Sequence, residues 1–321
     1  MKKLSVILSA ALLLAFAVSC NKAAQVEEPQ ECVVNVSFGV EDGAATRADF
    51  GTGSGATVLE YRVYVQQGSA WKLTNLKAKL TDVTYPKEIS LRLANNMTYR
   101  IVCFAQSPAA AEASLYDLTD FDDIAVAYDA LLPNNDMGDA FCANRQFVAG
   151  ATTSLTVVMH RPLSQINVFS GDMADFNASS VDNPLKSITL AFHDVPNKFG
   201  LVLGDANAEG YVPARVKDGA VQDVTFTCDV LSGAVRTFGG IQYSQFSMNY
   251  LLAAPTVDLT TVDLTLKAQD GTVVTNVPGI SNVPYQSNYR TNIYGNLITN
   301  AVNFTIDLDP EFYEPDYEVQ Y

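Results

Sequence analysis

Hydrophobic and polar residues alternate with a period of two along most of the chain. The pattern begins at 32–38 and returns at 59–65, 89–93 and 302–308. Such alternation is typical of half-buried β-strands, in which successive side chains point to opposite faces. The apolar side of the first and last runs is formed by Cys32, Val34, Val36 and Phe38, and by Val302, Phe304, Ile306 and Leu308. The pattern predicts strands from one end of the chain to the other.

Turn signals separate these strands and indicate an all-β fold. Further apolar runs lie at 188–192, 224–228 and 262–266, and Asp270-Gly271 is a hairpin signal after the last of them. Many short strands with almost no helical period are typical of β-sandwiches. We therefore predict two β-sandwich domains in tandem, of the transthyretin-like, Greek-key type.

A proline near the middle of the chain sets the predicted boundary between the two domains. Pro162 interrupts the apolar run that ends at Met159, and a new run begins at Ile166. Proline has no backbone N–H to donate and often marks the end of a strand. We place one sandwich at residues 32–162 and the other at residues 163–321.

The start of the chain has the pattern of a secretory leader. Two lysines precede an uncharged apolar stretch at 4–18, and a Ser-Cys pair that ends at Cys20 follows it. A positive start, a short apolar core and a small residue before the cut describe a signal peptide, and this core is short for a membrane span. We predict that residues 1–19 are removed, that Cys20 is acylated and that residues 20–31 form a tether. Secretion without acylation is the alternative.

Acidic residues outnumber basic ones, and this restricts the partners. The chain has 35 Asp and Glu against 20 Lys and Arg, and its formal net charge is -15 at pH 7. An acidic surface repels phosphate backbones and anionic lipid alike. We therefore exclude nucleic acid as a partner and expect attachment to the membrane to come from acyl chains on Cys20.

The other cysteines are too far apart for a metal or redox motif. They are Cys32, Cys103, Cys142 and Cys228. Three of them lie in apolar runs that look like strands, where a free cysteine behaves as a small hydrophobic residue. We favour free thiols in the core, and two disulfides in an exported protein are the alternative.

The sequence carries no recognisable catalytic or cofactor motif. His160 and His193 have no second histidine or cysteine at ligand spacing, so we predict structural roles for both. The Gly-rich stretch at 51–55 precedes a strand and not a helix, unlike a phosphate-binding loop. A group of acids could surround Ca²⁺ in a surface loop, although it lacks EF-hand spacing. These acids are Asp120, Asp122, Asp123, Asp136 and Asp139. We predict no enzyme activity, cofactor or metal.

The two strands at the ends of the chain indicate how copies could join. The first strand is followed by a Gly-rich loop at 41–55, in which Arg47 is the one basic residue. A cut in this loop would detach a complete strand and leave an apolar groove with unpaired N–H and C=O groups. The last strand of another copy could fill that groove by strand addition. The plain alternative is an intact two-domain lipoprotein.

Several segments resemble the fimbrillin-like lipoproteins of the Bacteroidota, which are subunits of type V pili. The segments occur in the same order and cover the whole chain. They are the Ser19-Cys20 lipobox and residues 45–48, 93–104, 192–200 and 284–295.

The resemblance implies a precursor that reaches the outer membrane as a lipoprotein and is then cut by an arginine-specific protease. Arg47 and Ala48 match the cleavage position. The resemblance also implies that 32–38 is the strand lost, and that 302–308, alone or with 312–321, is the strand donated to another copy or a related pilus subunit.

The resemblance leaves the role within a fibre and the receptor open. Stalk, tip and base subunits all fit it, and the receptor could be a host protein or a glycan. The alternative function is a surface lipoprotein that binds carbohydrate without polymerising. Trp71 is the single tryptophan, whereas a carbohydrate-binding face usually offers several flat rings.

Overall fold

The computed structural model describes residues 30–40, 55–231 and 235–310, without the side chains of Ala178 and of residues 300–303. Within these ranges the chain is almost entirely β-structure, which confirms the all-β prediction. The predicted lipidation site Cys20 and the predicted cleavage site at Arg47 and Ala48 lie outside them. No helix in these ranges is long and apolar enough to cross a membrane.

The first half of the described chain consists of short strands and one helical turn. Its elements are β1 (Glu31–Val40), β2 (Val58–Gln67), β3 (Ala70–Leu80), β4 (Lys87–Ala94), β5 (Thr98–Gln106), α1 (Pro108–Glu112), β6 (Tyr116–Asp117), β7 (Ile124–Val126), β8 (Ala140–Val148) and β9 (Ser154–Met159). Two 3-10 helices, Tyr128–Ala130 and Asp136–Gly138, lie between β7 and β8.

Two sheets built from these strands pack face to face. Sheet I has the order β4-β1-β9, and sheet II has the order β3-β2-β5-β8. β1 is antiparallel to β4 and parallel to β9, whereas all neighbours in sheet II are antiparallel. The inward side chains of both sheets form one apolar core, which includes Phe38, Leu91, Ile101 and Val157. These two sheets are the first sandwich.

The second half repeats this style of structure with longer strands. Its elements are β10 (Leu163–Ser170), α2 (Met173–Ser179), β11 (Leu185–Pro196), β12 (Lys198–Gly200), β13 (Arg215–Val216), β14 (Val221–Asp229), β15 (Val235–Phe238), β16 (Ile241–Leu252), β17 (Asp258–Ala268), β18 (Val273–Tyr285), β19 (Arg290–Asn296) and β20 (Asn300–Asp309).

These strands form a second sandwich and a small additional sheet. Sheet III has the order β15-β16-β10-β19-β20, and sheet IV has the order β14-β11-β17-β18. Ile166, Leu190, Phe246 and Leu264 belong to the core between them. Sheet V, with the order β13-β12-β7-β6, combines strands from both halves of the chain.

The two sandwiches have the same connectivity. In chain order, β1-β2-β3-β4-β5-β8-β9 correspond to β10-β11-β14-β16-β17-β18-β19, because each strand has the matching neighbours in its sheet. In both sandwiches the first strand is central, antiparallel to one neighbour and parallel to the last strand of the set. β20 is an extra strand on the outer edge of β19. Among the described residues, no strand covers the outer edge of β9.

The sandwiches contact each other through the outer face of sheet II. β5 is buried on both faces, with Ile101 in the first core and Val102 and Phe104 in the second. The Phe104 ring lies 6.2 Å from the Phe199 ring, measured between centroids. The described chain from Glu31 onward forms one compact unit. The boundary between domains at 162 and 163 stays a prediction.

Candidate functional site

β1 lies in the middle of sheet I, and we call the space that it fills between β4 and β9 the first-strand slot. Along one edge it pairs with β4 from Glu31 to Phe38, and along the other it pairs with β9 from Asn35 to Val40. A central strand uses its backbone N–H and C=O groups on both edges. Removal of β1 would therefore leave unpaired backbone groups on β4 and β9 together.

The side chains of β1 that point inward fill the first core. Val34, Val36 and Phe38 are 0%, 1% and 0% exposed, and the Phe38 ring lies 5.7 Å from the Tyr61 ring, measured between centroids. Cys32 is half-buried at the start of the slot. Full burial of an apolar side chain contributes roughly 1.5 to 3 kcal/mol. The slot thus requires a strand with apolar side chains at every second position.

The other face of β1 points to solvent and contributes polar contacts. The Ser90 hydroxyl on β4 donates to Asn35 Oδ1 at 2.8 Å. The Asn35 backbone N–H donates to the Thr153 carbonyl at 3.0 Å, so its backbone groups face β9. Asn35 and Ser90 therefore form a pair without backbone hydrogen bonds between them, the type of antiparallel pair whose Cα atoms lie closest.

The covalent chain links β1 to the later strands through residues 41–57 alone. It pairs with β4 and β9 and not with β2, which follows it in the sequence. A break within 41–54 would separate β1 from the chain and leave every other described strand intact. The predicted cleavage at Arg47 and Ala48 falls in this segment, outside the described residues.

β20, which contains the predicted donor residues, is the edge strand of sheet III. Phe304 and Ile306 are partly buried against the second core, Thr305 between them is exposed, and Leu308 is half-buried. Val302 belongs to this strand, but its side chain lies outside the description. The structure does not bring β20 to the first-strand slot, because β1 and β20 belong to different sheets.

Two acidic residues hold β20 in its own chain, one at each end. The buried Asp172 carboxylate accepts the backbone N–H of Ile298 at 3.1 Å and of Thr299 at 2.7 Å, in the turn before β20. At the other end, Asp309 Oδ2 lies 3.1 Å from Arg236 Nη2. Sequence reasoning missed both acids, because their partners lie 126 and 73 residues away in the chain.

Most of the chain matches one protein family. A family of unknown function, DUF6562, matches residues 27–320. The chain belongs to this family. A comparison with curated proteins found no match.

Solved structures with similarity to this DUF6562 protein are adhesion and fimbrial proteins. A putative cell adhesion protein from Bacteroides eggerthii has 12% identity, covers 87% of this chain and 96% of its own, and has a TM-score of 0.49. A putative adhesin from Bacteroides thetaiotaomicron has 12% identity, coverage of 88% and 97%, and a TM-score of 0.49. The fimbrial anchor protein Mfa2 from Porphyromonas gingivalis has 11% identity, coverage of 85% and 94%, and a TM-score of 0.37. These proteins are of the fimbrial and adhesion type that the sequence resembles. Similarity at 11 to 12% identity assigns no role to any residue of this chain.

The four described cysteines of this DUF6562 protein are free thiols. Burial raises the pKa of Cys142 to about 12 and that of Cys228 to about 11, and it also raises the pKa of Cys103. A thiol must lose its proton to act as a nucleophile or to bind metal. These side chains are therefore inert at neutral pH, and Cys32, in β1, is half-buried.

The acids considered for calcium have separate protein partners. Asp139 pairs with Arg161 at 2.7 Å, and Asp123 pairs with Lys198 at 2.9 Å. Asp136 accepts the Tyr250 hydroxyl at 2.8 Å. Within the described ranges, no three His, Cys, Asp or Glu side chains are grouped so that they could hold a metal ion.

Aromatic side chains cluster in sheet III but are mostly covered. Phe169, Phe238 and Tyr243 surround Tyr294, with 4.4 Å between the ring centroids of Phe238 and Tyr294. Phe169 and Tyr294 are buried, so only Phe238 and Tyr243 reach the surface in part. The guanidinium of Arg100 covers the ring of Trp71 at 4.1 Å. Neither group of described rings offers the flat, open platform that stacking with a sugar requires.

Proposed function

We propose that this protein is a lipid-anchored subunit of a surface fibre, or an adhesin attached to one, and that it assembles by strand complementation without enzyme activity. The position of β1 is the observation that carries this proposal. β1 is central in sheet I, buried through Val34, Val36 and Phe38, and connected onward through residues 41–57 alone. The repeated connectivity supports a division into two sandwich domains at 32–162 and 163–321.

The steps before assembly concern residues outside the described ranges. In this proposal residues 1–19 are removed, acylated Cys20 anchors the precursor in the outer membrane, and an arginine-specific protease cuts between Arg47 and Ala48. The intact mass and the first residues of protein recovered from cells test these steps. We expect a precursor that begins with acylated Cys20 and a mature form that begins with Ala48.

β20 has the properties of a donor for the first-strand slot. It has the same length as β1, 10 residues, and places Phe304 and Ile306 on its core-facing side. It contains no proline, so every residue can donate a backbone hydrogen bond when both edges are paired. Donation to another subunit requires that β20 leaves β19 and gives up the ion pair of Asp309.

A reversible covalent lock on β1 tests the proposal directly. The double substitution Asn35→Cys and Ser90→Cys places two cysteines on the solvent face, at a pair whose close Cα atoms suit a disulfide. After cleavage at Arg47, the disulfide keeps β1 in the slot. We expect fibre formation to stop under oxidising conditions and to resume when a reductant releases the strand, as measured by electron microscopy and by the ladder of polymers on gels.

Each single cysteine variant is the matched control for the lock. Both should cleave and polymerise at the wild-type rate with and without reductant, since neither can form the bridge. Cleavage of the locked variant must be checked by mass, so that a failure to polymerise is not a failure to be cut. Normal fibres from a cleaved and oxidised double variant would contradict the proposal.

A further inference from the structure

We propose that the outer edge of β9 is a second strand-addition site, and that it takes the acidic segment 311–321 of a second copy of this chain. This site goes beyond the exchange of β1 and does not require it, because β1 occupies the opposite edge of β9. It joins whole, uncut chains.

The repeated connectivity draws attention to this edge. β9 and β19 are corresponding strands, each parallel to the first strand of its sandwich. β19 carries β20 on its outer edge, whereas the described residues place no strand on the outer edge of β9. In the part of the chain that the structure describes, the first sandwich thus has an open edge at the place where the second has an extra strand, and an open edge can pair with another chain.

The direction of the backbone groups shows which residues could pair there. The Thr153 carbonyl accepts from β1, and the Val158 N–H points the other way, to the Tyr211 hydroxyl at 3.4 Å. Because backbone groups alternate along a strand, the N–H groups of Ser154 and Thr156 also face outward. These two positions form the open part of the edge.

A cavity of about 770 Å³ lies beside this part of β9. One wall consists of Ser154, Leu155 and Thr156, and the opposite wall of residues 208–211. The opposite wall is held on β8, because the Gln146 N–H donates to the Gly210 carbonyl at 2.7 Å. Gly210 has a φ of +86°, and a Cβ there would lie 2.6 Å from the Gln146 carbonyl oxygen, so this close approach requires glycine.

Arg145 gives the cavity a preference for acidic partners. Its guanidinium lies over the Tyr211 ring at 4.2 Å, and Arg145 Nε and Nη1 are buried with no hydrogen-bond partner among the described residues. A buried N–H without a partner costs free energy that an incoming carboxylate could recover. Glu209 also lines the cavity, but its side chain is exposed to solvent.

Segment 311–321 has the matching sequence. From Tyr313 onward, Tyr, Pro, Tyr, Val and Tyr occupy the odd positions, and Glu, Asp, Glu and Gln occupy the even positions. This alternation predicts an extended strand with one apolar and one acidic side. Arg145 lies on the same face of sheet II as Phe147, so the acidic side of the added strand can face Arg145 across the cavity while its apolar side forms the outer face.

Pro315 distinguishes this edge from the first-strand slot. Proline has no N–H and is tolerated in edge strands, whereas in a central strand it removes a bond of the ladder. A strand added to the outer edge of β9 becomes the new edge of sheet I, but a strand in the first-strand slot is central. Segment 311–321 therefore suits the outer edge of β9, and the proline-free β20 suits the slot.

The test uses a fluorescent peptide with the sequence of residues 311–321. Its binding to the purified, uncut chain is measured by fluorescence anisotropy. We expect saturable binding that is lost when the peptide is scrambled so that its apolar and acidic residues no longer alternate. Thr156→Pro should abolish binding, because it removes an outward N–H and leaves the pairing with β1 intact. Arg145→Gln should weaken binding about tenfold, as expected for one charge-assisted hydrogen bond.

Arg92→Gln is the matched control, since Arg92 is an exposed arginine on β4 of the same sheet. It should bind as the wild type does, and thermal melting should show that all variants are folded. Failure of the uncut wild-type chain to bind the peptide would overturn the proposal. So would binding by Thr156→Pro and Arg145→Gln that is as tight as binding by the wild type. Binding that appears only after β1 is removed would place the peptide in the first-strand slot instead. Binding that requires deletion of residues 311–321 would mean that the chain's own segment covers the edge, which overturns the assignment to a second copy.

Discussion

Arg161 and Asp139 form a buried ion pair near the join between the two halves. Their side chains are 0% and 5% exposed, two hydrogen bonds of 2.7 and 2.9 Å connect them, and the guanidinium lies 4.4 Å above the Phe141 ring. We predict that Arg161→Ala lowers the free energy of unfolding by about 3 to 5 kcal/mol, because it leaves the Asp139 charge buried without its partner. Chemical denaturation measures this loss.

The exposed pair between Lys186 and Asp229 is the control for this prediction. Its side chains are 54% and 69% exposed, so Lys186→Ala should change stability by less than about 1 kcal/mol. Replacing Arg161 with Met and Asp139 with Leu together should cost less than Arg161→Ala alone. A single Arg161→Ala variant as stable as the wild type would contradict the assignment.

For single residues, the sequence predicted the burial of side chains, which follows from the local pattern. It did not predict the partners of charged side chains, which the fold brings together from distant positions. The inward positions Val34, Val36 and Phe38 follow from local alternation, and all three are buried. Asp139 was considered as a ligand for calcium because other acids are close to it in sequence. Its actual partner, Arg161, lies 22 residues away and is brought near only by the fold.

At the scale of elements, His193 links three strands of sheet IV. It lies on β11, its Nε2 is 3.0 Å from Asp263 on β17, and its Nδ1 is 3.3 Å from Asp223 on β14. The hydrogen bond to Asp263 raises the pKa of His193 above its ordinary value of about 6.5. A raised pKa in the folded state stabilises the fold while the imidazole is charged, so the contribution is complete below pH 6.5 and is lost as pH rises through the raised pKa.

We predict that His193→Gln removes this dependence on pH. The melting temperature of the wild type should exceed that of the variant most clearly near pH 5, and the difference should shrink toward pH 9. The pKa of Asp263 is lowered, chiefly by the N–H of Gly279 and then by His193, so its contribution is lost only at acidic pH. If the difference in melting temperature between wild type and variant stayed constant from pH 5 to 9, the charge of the imidazole would not contribute to stability.

The elements themselves were more predictable than their partners. The short helix α1 runs from Pro108 to Glu112, because Ser107 caps its start and Ser114 leaves the helix with a φ of +53°. Residues 116–117 then pair as β6. Alternation identifies strands, but sheet order depends on pairings between distant segments. For this reason the central position of β1 could not be read from the sequence.

At the scale of the whole molecule, the proposed assembly depends on the apolar side of β20. We predict that replacing Phe304 and Ile306 with Asp leaves soluble monomers that do not polymerise. Each buried side chain contributes roughly 1.5 to 3 kcal/mol to filling the slot, so the double variant should bind a vacated slot at least about a hundredfold more weakly. Light scattering and electron microscopy of cleaved protein measure this effect.

Thr305→Asp is the matched control, because Thr305 lies between the two positions and is exposed. It adds one negative charge, half of that added by the double variant, to the outer side of β20 and should leave fibre length unchanged. Fibres of normal length from the double variant would exclude β20 as the donor. Loss of fibres from Thr305→Asp as well would point to repulsion between charges and not to the apolar side.

The slot and the strand proposed to fill it lie on different surfaces of the subunit, and this has a consequence for any fibre built through the slot. The slot lies in sheet I between β4 and β9, whereas β20 belongs to sheet III. Every subunit would then be added in the same orientation, because its donor and acceptor surfaces differ. Contacts of this kind form open chains that do not close on themselves unless the rotation completes a ring. The resulting filament would be polar, with one end that presents an empty groove and another that presents a spare strand.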